Sequence, residues 1–289
     1  MELLFVQAVV AGVLTGAVYA TISSGLGLVL AIGRIANIAH GELVIAGGYV
    51  AWVLVAGLGW HPVAALPLAA VAGGLLCLGI HPMVARLPPP RATNALALTF
   101  GLALVGQSAL HGLFGADYRL LAPELMWGST VVGGVSLHQG RLAAAAVAVG
   151  LLLGFHWVLM STHLGRCLRA ASMDPIGAAL VGLSVVRIER AAFLLGGGLA
   201  GASGVLYALL FVISPAAGVA PTLVALTLAV WAGFGKPAGL LVGGFVLGVV
   251  EALAVAFGGW AWRDLIVSLV LLGVLLARGL REAEGGQHG

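Results

Sequence analysis

The sequence is built from long uninterrupted apolar runs, among them Leu142–Met160 and Leu240–Phe257. About 20 helical residues cross a bilayer core, and these runs approach that length. Lipid offers no partners to backbone N–H and C=O groups, so only helices and closed β-barrels span it. Barrel strands run about ten residues with alternating polarity. The runs here do not alternate, which selects helices. Composition agrees, since 61% of the residues are hydrophobic and only 8% charged, against about 25% charged in a soluble domain. The chain has too little polar surface to cover itself in water. The expected fold is an all-α membrane protein, a polytopic bundle of eight or nine transmembrane or half-spanning helices.

The expected membrane elements are Leu4–Ile32, Leu43–Leu58, Val63–Ala85, Ala92–Phe114, Leu142–Met160, Ala191–Ile213, Leu223–Gly233, Ala238–Phe257 and Leu265–Ala277. Leu4–Ile32 exceeds one perpendicular span and implies tilt or an interfacial start. Leu223–Gly233 is too short to cross and reads as a half-helix. The polar segments at residues 115–141 and 161–190 are too short to form a soluble catalytic domain. Residues 1–289 therefore read as one transmembrane domain. Met1–Val10 carries Glu2 and no basic residue, so it reads as the start of a span and not as a cleaved signal.

Charge sets the expected orientation. Arg34, Arg86, Arg91, Arg166, Arg169, Arg187, Arg190, Lys236, Arg278 and Arg281 share one side if the N-terminus lies outside. The other side holds Arg119, Arg141 and Arg263, offset by Asp117, Glu124 and Asp264. Basic loops face the cytoplasm, which puts the N-terminus outside and the C-terminus inside.

Other readings are excluded. A net charge of +3 spread over scattered loops makes no nucleic-acid patch. Cys77 and Cys167 have no metal-ligand or CxxC spacing and read as unpaired thiols. Residues 235–237, Gly-Lys-Pro, lack the glycine pattern and the Ser/Thr of a nucleotide-binding loop. The chain thus has no ATPase site of its own, no cofactor and no enzyme activity in this reading. Its 45 glycines include pairs at GxxxG spacing: Gly12/Gly16, Gly150/Gly154, Gly197/Gly201, Gly235/Gly239 and Gly244/Gly248. Small residues at that spacing let membrane helices pack closely.

Polar residues that interrupt the apolar runs carry the functional information. Asn37, His40 and Glu42 fall within six residues between two runs. They form either a polar cytoplasmic turn or a break inside the membrane region that lines a pathway, as in transporters. No second ligand stands at metal spacing, and no nucleophile accompanies His40. Glu251 lies deep in an apolar run and needs a cationic or hydrogen-bonding partner from another helix. Thr99, Gln107 and Ser108 offer hydrogen bonds across helices or along a polar path. In the segment from Ser161 to Arg190, Asp174 can cap a short helix with Pro175 at its first position. Gly182 can end that helix, giving an amphiphilic Ile176–Val181. The segment is either an ordinary interfacial helix or a docking element for a cytoplasmic partner.

Four stretches together resemble the permease subunits of branched-chain amino acid ATP-binding-cassette importers. The first contains Gly16-Ala-Val-Tyr-Ala and Asn37-Ile-Ala-His-Gly-Glu42, similar to the family's Asn-Phe-Ala-His-Gly-Glu with Ile38 in place of Phe. The second is Thr99-Phe-Gly-Leu-Ala. The third runs from Thr162-His-Leu-Gly165-Arg166 through Arg169-Ala and Asp174-Pro175 to Gly182-Leu, then Leu199-Ala-Gly-Ala-Ser-Gly-Val-Leu206 and Ile213-Ser-Pro. The fourth runs from Gly233-Phe-Gly-Lys-Pro to Gly248-Val-Val-Glu251. The chain departs from the family at Ile38 and after Arg278, where Gly-Leu-Arg-Glu replaces an Arg-Pro-x-Gly-Leu ending.

The resemblance implies a multi-pass subunit in a bacterial inner membrane. It would work with separate ATPase subunits, a second homologous permease chain or a copy of itself, and a periplasmic solute-binding protein. Residues 161–190 would be the coupling segment, with Gly165, Arg166, Arg169, Asp174, Pro175 and Gly182 at the ATPase contact. Asn37, His40, Glu42 and Thr99 would lie near the solute path. The solute would be a branched-chain amino acid or a similar small polar molecule. The competing reading is a secondary transporter in which Glu42 or Glu251 carries protons.

Overall fold

The computed structural model describes residues 1–121, 128–132, 134–232, 237–259 and 262–285. Glu124, Lys236 and the 233–236 part of the fourth motif lie outside the described residues, as do the side chains of Asp264, Arg278 and Arg281.

Among the described residues eleven α-helices follow one another: α1 (Glu2–Gly33), α2 (His40–Trp52), α3 (Pro62–Ala85), α4 (Arg91–Phe114), α5 (Gln139–Ser161), α6 (His163–Met173), α7 (Pro175–Leu180), α8 (Val185–Leu210), α9 (Val219–Ala232), α10 (Pro237–Gly258) and α11 (Trp262–Gly285). A hairpin of β1 (Ser129–Val132) and β2 (Val135–His138) joins α4 to α5, pairing Ser129 with His138 and Val132 with Val135. Among the described residues eight helical stretches are long and apolar enough to cross a membrane, and α11 adds the shorter Leu265–Leu276. That matches the expected eight or nine elements.

The bundle has two ends, one at the hairpin and one at α6–α7. Leu3 of α1 reaches Gly134 in the hairpin, so α1 starts at the hairpin end. It runs 32 residues, about 48 Å at 1.5 Å per residue. Its second half is buried almost all round, from Gly16 to Val29, which makes it the axis of the fold. Glycine allows this. A Cβ on Gly16 would collide with the Gly244 carbonyl of α10, and one on Gly248 would collide with the Gly12 carbonyl. Backbones approach that closely only where both helices lack side chains.

Three elements differ in detail from the sequence expectation. The polar 115–141 segment contains the hairpin, and α5 takes in Arg141 because it begins at Gln139. The basic segment holds two helices and not one. Thr162 starts α6 by accepting a hydrogen bond from Gly165 N at 3.0 Å, and Leu168 and Ala171 bury its apolar side. Asp174 then starts α7, accepting from Ile176 N at 3.0 Å. The expected half-helix starts earlier than Leu223, at Val219, after a 3-10 turn at Pro215–Gly218.

Candidate functional site

Two helices begin in the interior of the bundle. Arg34 takes a left-handed conformation, φ 52°, and ends α1. The chain then turns back along α1, so that His40 Nε2 meets the Ile22 carbonyl at 2.9 Å, eleven residues short of the end of that helix. The segment containing Asn37–Glu42 is thus a break within the bundle and not a turn at its end. From the other direction, the 3-10 turn Pro215–Gly218 and the start of α9 come down to meet it. Gly41 N donates to Thr222 Oγ1 at 2.9 Å, and a Cβ on Gly41 would collide with the Gly218 carbonyl.

The break leaves backbone groups without helical partners, and such groups must be satisfied when buried. Ile38 N donates to Thr99 Oγ1 of α4 at 3.1 Å. Ala39 N donates to the side-chain oxygen of Asn37 at 3.1 Å. The Thr222 hydroxyl stands 2.9 Å from the Gly218 carbonyl and 3.3 Å from the Ile38 carbonyl. Asn37, His40 and Thr99 are all fully buried. They brace the break from inside.

Glu42 is different. It sits in the first turn of α2 and is only half buried. Its side chain lies between Gly106 of α4 and Gly218 before α9. Glu42 Oε2 has no hydrogen-bond partner among the described residues.

Toward the hairpin end, the space beside this junction opens into two cavities. One, about 480 Å³, is lined by Gln107, Ser108 and His111 of α4 with Ser214, Pro215 and Ala216. The other, about 810 Å³, is lined by Tyr118, Tyr207, Phe211, Ser214 and Arg263 among others. Tyr118, Ser214 and Ala216 line both, so the two adjoin. Volumes of this size suit a small organic solute. Gly106 and Gly218 flank Glu42 and lie in the chain next to cavity-lining residues, which places Glu42 just below the cavity floor.

A buried polar triad closes the α1–α10–α11 side. Arg263 Nε donates to Glu251 Oε1 at 2.5 Å, and Tyr19 OH donates to the same oxygen at 2.9 Å. Arg263 Nη2 donates to the Tyr19 hydroxyl oxygen at 2.9 Å, and the guanidinium stands 4.2 Å over the Phe211 ring.

At the opposite end, α6 and α7 form a corner outside the bundle. Gly165 is buried at the turn, where a Cβ would collide with the Val158 and Leu159 carbonyls. Arg169 folds back onto its own chain, donating to the Leu159 carbonyl, whereas Arg166 is exposed. Gly182 has φ +86° and ends the turn after α7. Met173, Ile176, Leu180 and Val181 project from this corner, each at least 73% exposed.

The family described as "Branched-chain amino acid transport system / permease component" matches residues 8–275. The chain belongs to this family. It is 28% identical over 289 residues to the "High-affinity branched-chain amino acid transport system permease protein LivH" of Escherichia coli K12, covering 95% of this chain and 94% of the relative. The corresponding BraD protein of Pseudomonas aeruginosa is 28% identical over 290 residues, with the same coverage. The "Autoinducer 2 import system permease protein LsrC" of Klebsiella pneumoniae is 31% identical over 229 residues, 75% of this chain and 61% of the relative. The chain is therefore a permease component of a transport system, spanning the membrane several times.

Sequence reasoning about the permease missed three partners. Arg263 was expected in a loop, but it is the second residue of α11 and faces Glu251. Thr222 hides at the start of a short apolar stretch, where only its polarity marks it. Glu189 was read as part of the basic segment. It is buried on α8, 3.2 Å from His81 of α3 and 3.2 Å from Arg91 of α4. The signal for all three is the same: a polar residue at a helical position that faces other helices needs a counterpart.

Proposed function

We propose that this permease forms the translocation path of an ATP-driven importer in an inner membrane, together with a second homologous chain or a copy of itself. Separate ATPase subunits drive it from the cytoplasm through the α6–α7 corner, and a periplasmic binding protein delivers solute to the hairpin end. The N-terminus is outside and the C-terminus cytoplasmic. The solute is a branched-chain amino acid or a similar small polar molecule. The names of the relatives, for branched-chain amino acids and for autoinducer 2, support that range.

One observation carries the reading. Met173 at the end of α6, Ile176 and Leu180 of the short α7 and Val181 just after it form an exposed apolar knob between two spans. Exposed Arg166, Arg187 and Arg190 surround it in sequence. An apolar centre with a charged rim is the anatomy of a protein interface. Asp174, Pro175 and Gly182 give the knob its shape, and Gly165 and Arg169 fix the corner that presents it. Solute passes Glu42, while Asn37, His40 and Thr99 hold the break open in register. ATP binding on the far side of the knob shifts α6–α7 and alternates access between the two ends. Glu251, tied to Arg263 and Tyr19, stays out of proton transfer.

The test is reconstitution with the ATPases, the second permease and the binding protein in liposomes. Wild type takes up one member of a panel of labelled amino acids, amides and urea on addition of ATP. Leu180→Asp, which charges the knob, lowers uptake by about tenfold or more, as expected for the loss of an interface anchor. Normal ATP-driven uptake by Leu180→Asp removes the coupling assignment. Uptake driven by a proton gradient without ATPases removes the importer reading.

A further inference from the structure

α4 is held less tightly than any other long span described: only Ala95 and Thr99 along its 24 residues are buried. It nevertheless supplies Gln107, Ser108 and His111 to one cavity and Gly106 to the surroundings of Glu42. Among the described residues, two of its side chains hydrogen-bond to distant parts of the chain. One is Thr99, bonded to Ile38 in the break. The other is Arg91, the first residue of α4, whose Nη1 and Nη2 donate to Glu189 Oε1 and Oε2 at 3.4 and 3.2 Å.

Glu189 stands in the second turn of α8, seven residues beyond Gly182. Its carboxylate is also 3.2 Å from His81 Nε2 of α3, and the His81 ring packs edge-on against Phe193 of α8. The Glu189 and His81 side chains are buried while that of Arg91 is 37% exposed, so the costly change is to leave the buried carboxylate without its partners. A bidentate guanidinium–carboxylate pair fixes direction as well as distance. Val185, the start of α8, follows the α6–α7 corner within a few residues, and Glu189 ties α8 to the first residue of α4.

We propose that Glu189 is a positioning residue that makes α4 follow α8, so that the corner at one end moves the cavity wall at the other. The inference rests on the importer reading above. It assigns α4 as the moving wall, with Thr99 as the pivot beside the break and Arg91–Glu189 as the handle.

The experiment uses the complete complex in nanodiscs, in a Cys167→Ser background. Spin labels go on cysteines replacing Leu113 at the hairpin end of α4 and Phe257 at the same end of α10, both exposed. In wild type the label distance changes between the nucleotide-free and ATP-bound states. In Glu189→Gln the change is lost, ATP hydrolysis stays within about twofold of wild type, and uptake per ATP falls about tenfold. Glu189→Asp, which keeps the charge, retains most of the coupling. The double variant Arg91→Gln/Glu189→Gln carries no unpaired charge, so it assembles even if the single variant does not, and it remains uncoupled. Wild-type uptake per ATP in Glu189→Gln, or in the double variant, overturns the proposal and leaves the His81–Glu189–Arg91 cluster a stabilising contact. A label distance that still changes in either variant also overturns it. Absence of ATP-driven uptake by the wild-type complex is a different outcome, which removes the importer reading itself.

Discussion

Glu251 and Arg263 are nearly excluded from water, with side-chain exposures of 7% and 10%. A charge in such a place is stable only while its partner stays. Glu251→Gln therefore removes the carboxylate paired with the buried Arg263, at a cost of about 3–5 kcal/mol. Glu251→Gln/Arg263→Met removes both charges and recovers most of that loss. Thermal unfolding of the detergent-solubilised permease measures both, and equal melting temperatures for Glu251→Gln and wild type would contradict the ion pair. The need for a partner was legible from Glu251 alone, since a carboxylate within an apolar run cannot stand free. Which partner was not. Arg263 is twelve residues away, and only the turn between α10 and α11 brings it back. The Asn37–Glu42 motif shows the same division. Its position was readable, yet the sequence places Asn37, His40 and Glu42 together without saying that the first two are fully buried while Glu42, half buried, lies between α4 and the residue before α9. That depends on where α2 starts relative to Ile22, and Thr222, 181 residues beyond Gly41, helps to set it.

Among helices, identical spacing has opposite consequences. Gly12/Gly16 and Gly244/Gly248 bring α1 and α10 into backbone contact, whereas a Cβ on Gly150 or Gly154 meets nothing within 4 Å. Gly16→Leu is expected to push α10 away and destabilise the fold by about 1–3 kcal/mol, the usual cost of overpacking. Gly150→Leu, on an exposed face of α5, is expected to change stability by less than about 0.5 kcal/mol. The two variants compared by steric trapping or thermal unfolding decide the point, and similar losses at both sites would refute the packing assignment. The long helices were legible because apolar length is a local property, but α6 and the early start of α8 at Val185 were not. The cap at Asp174 and the stop at Gly182 are found where the residues placed them. The pairing of helices was not legible, because a small residue permits close approach without naming the neighbour. The hairpin was missed for a related reason: four-residue strands carry too little periodicity to register.

At the scale of the whole molecule, each long helix described runs between the two ends, and among the described residues only α2 and α9 begin inside. They enter from opposite directions, α2 after a return from the α6–α7 end and α9 after a descent from the hairpin end. Irregular backbone at such depth is tolerated where protein surrounds it or a cavity meets it, and both conditions hold here. The cavities open toward the hairpin end thus stop beside one short junction, Asn37–Glu42 against Pro215–Thr222. This arrangement serves import only if the knob faces the ATPases in the cytoplasm and the cavity faces outward. The basic loops predict that orientation. In the Cys167→Ser background, a cysteine replacing Met173, 83% exposed, should react with a membrane-impermeant maleimide only in inverted vesicles. One replacing Tyr118, 80% exposed, should react only in intact spheroplasts. The reverse pattern would turn the cavity toward the cytoplasm, and the same junction would then serve export.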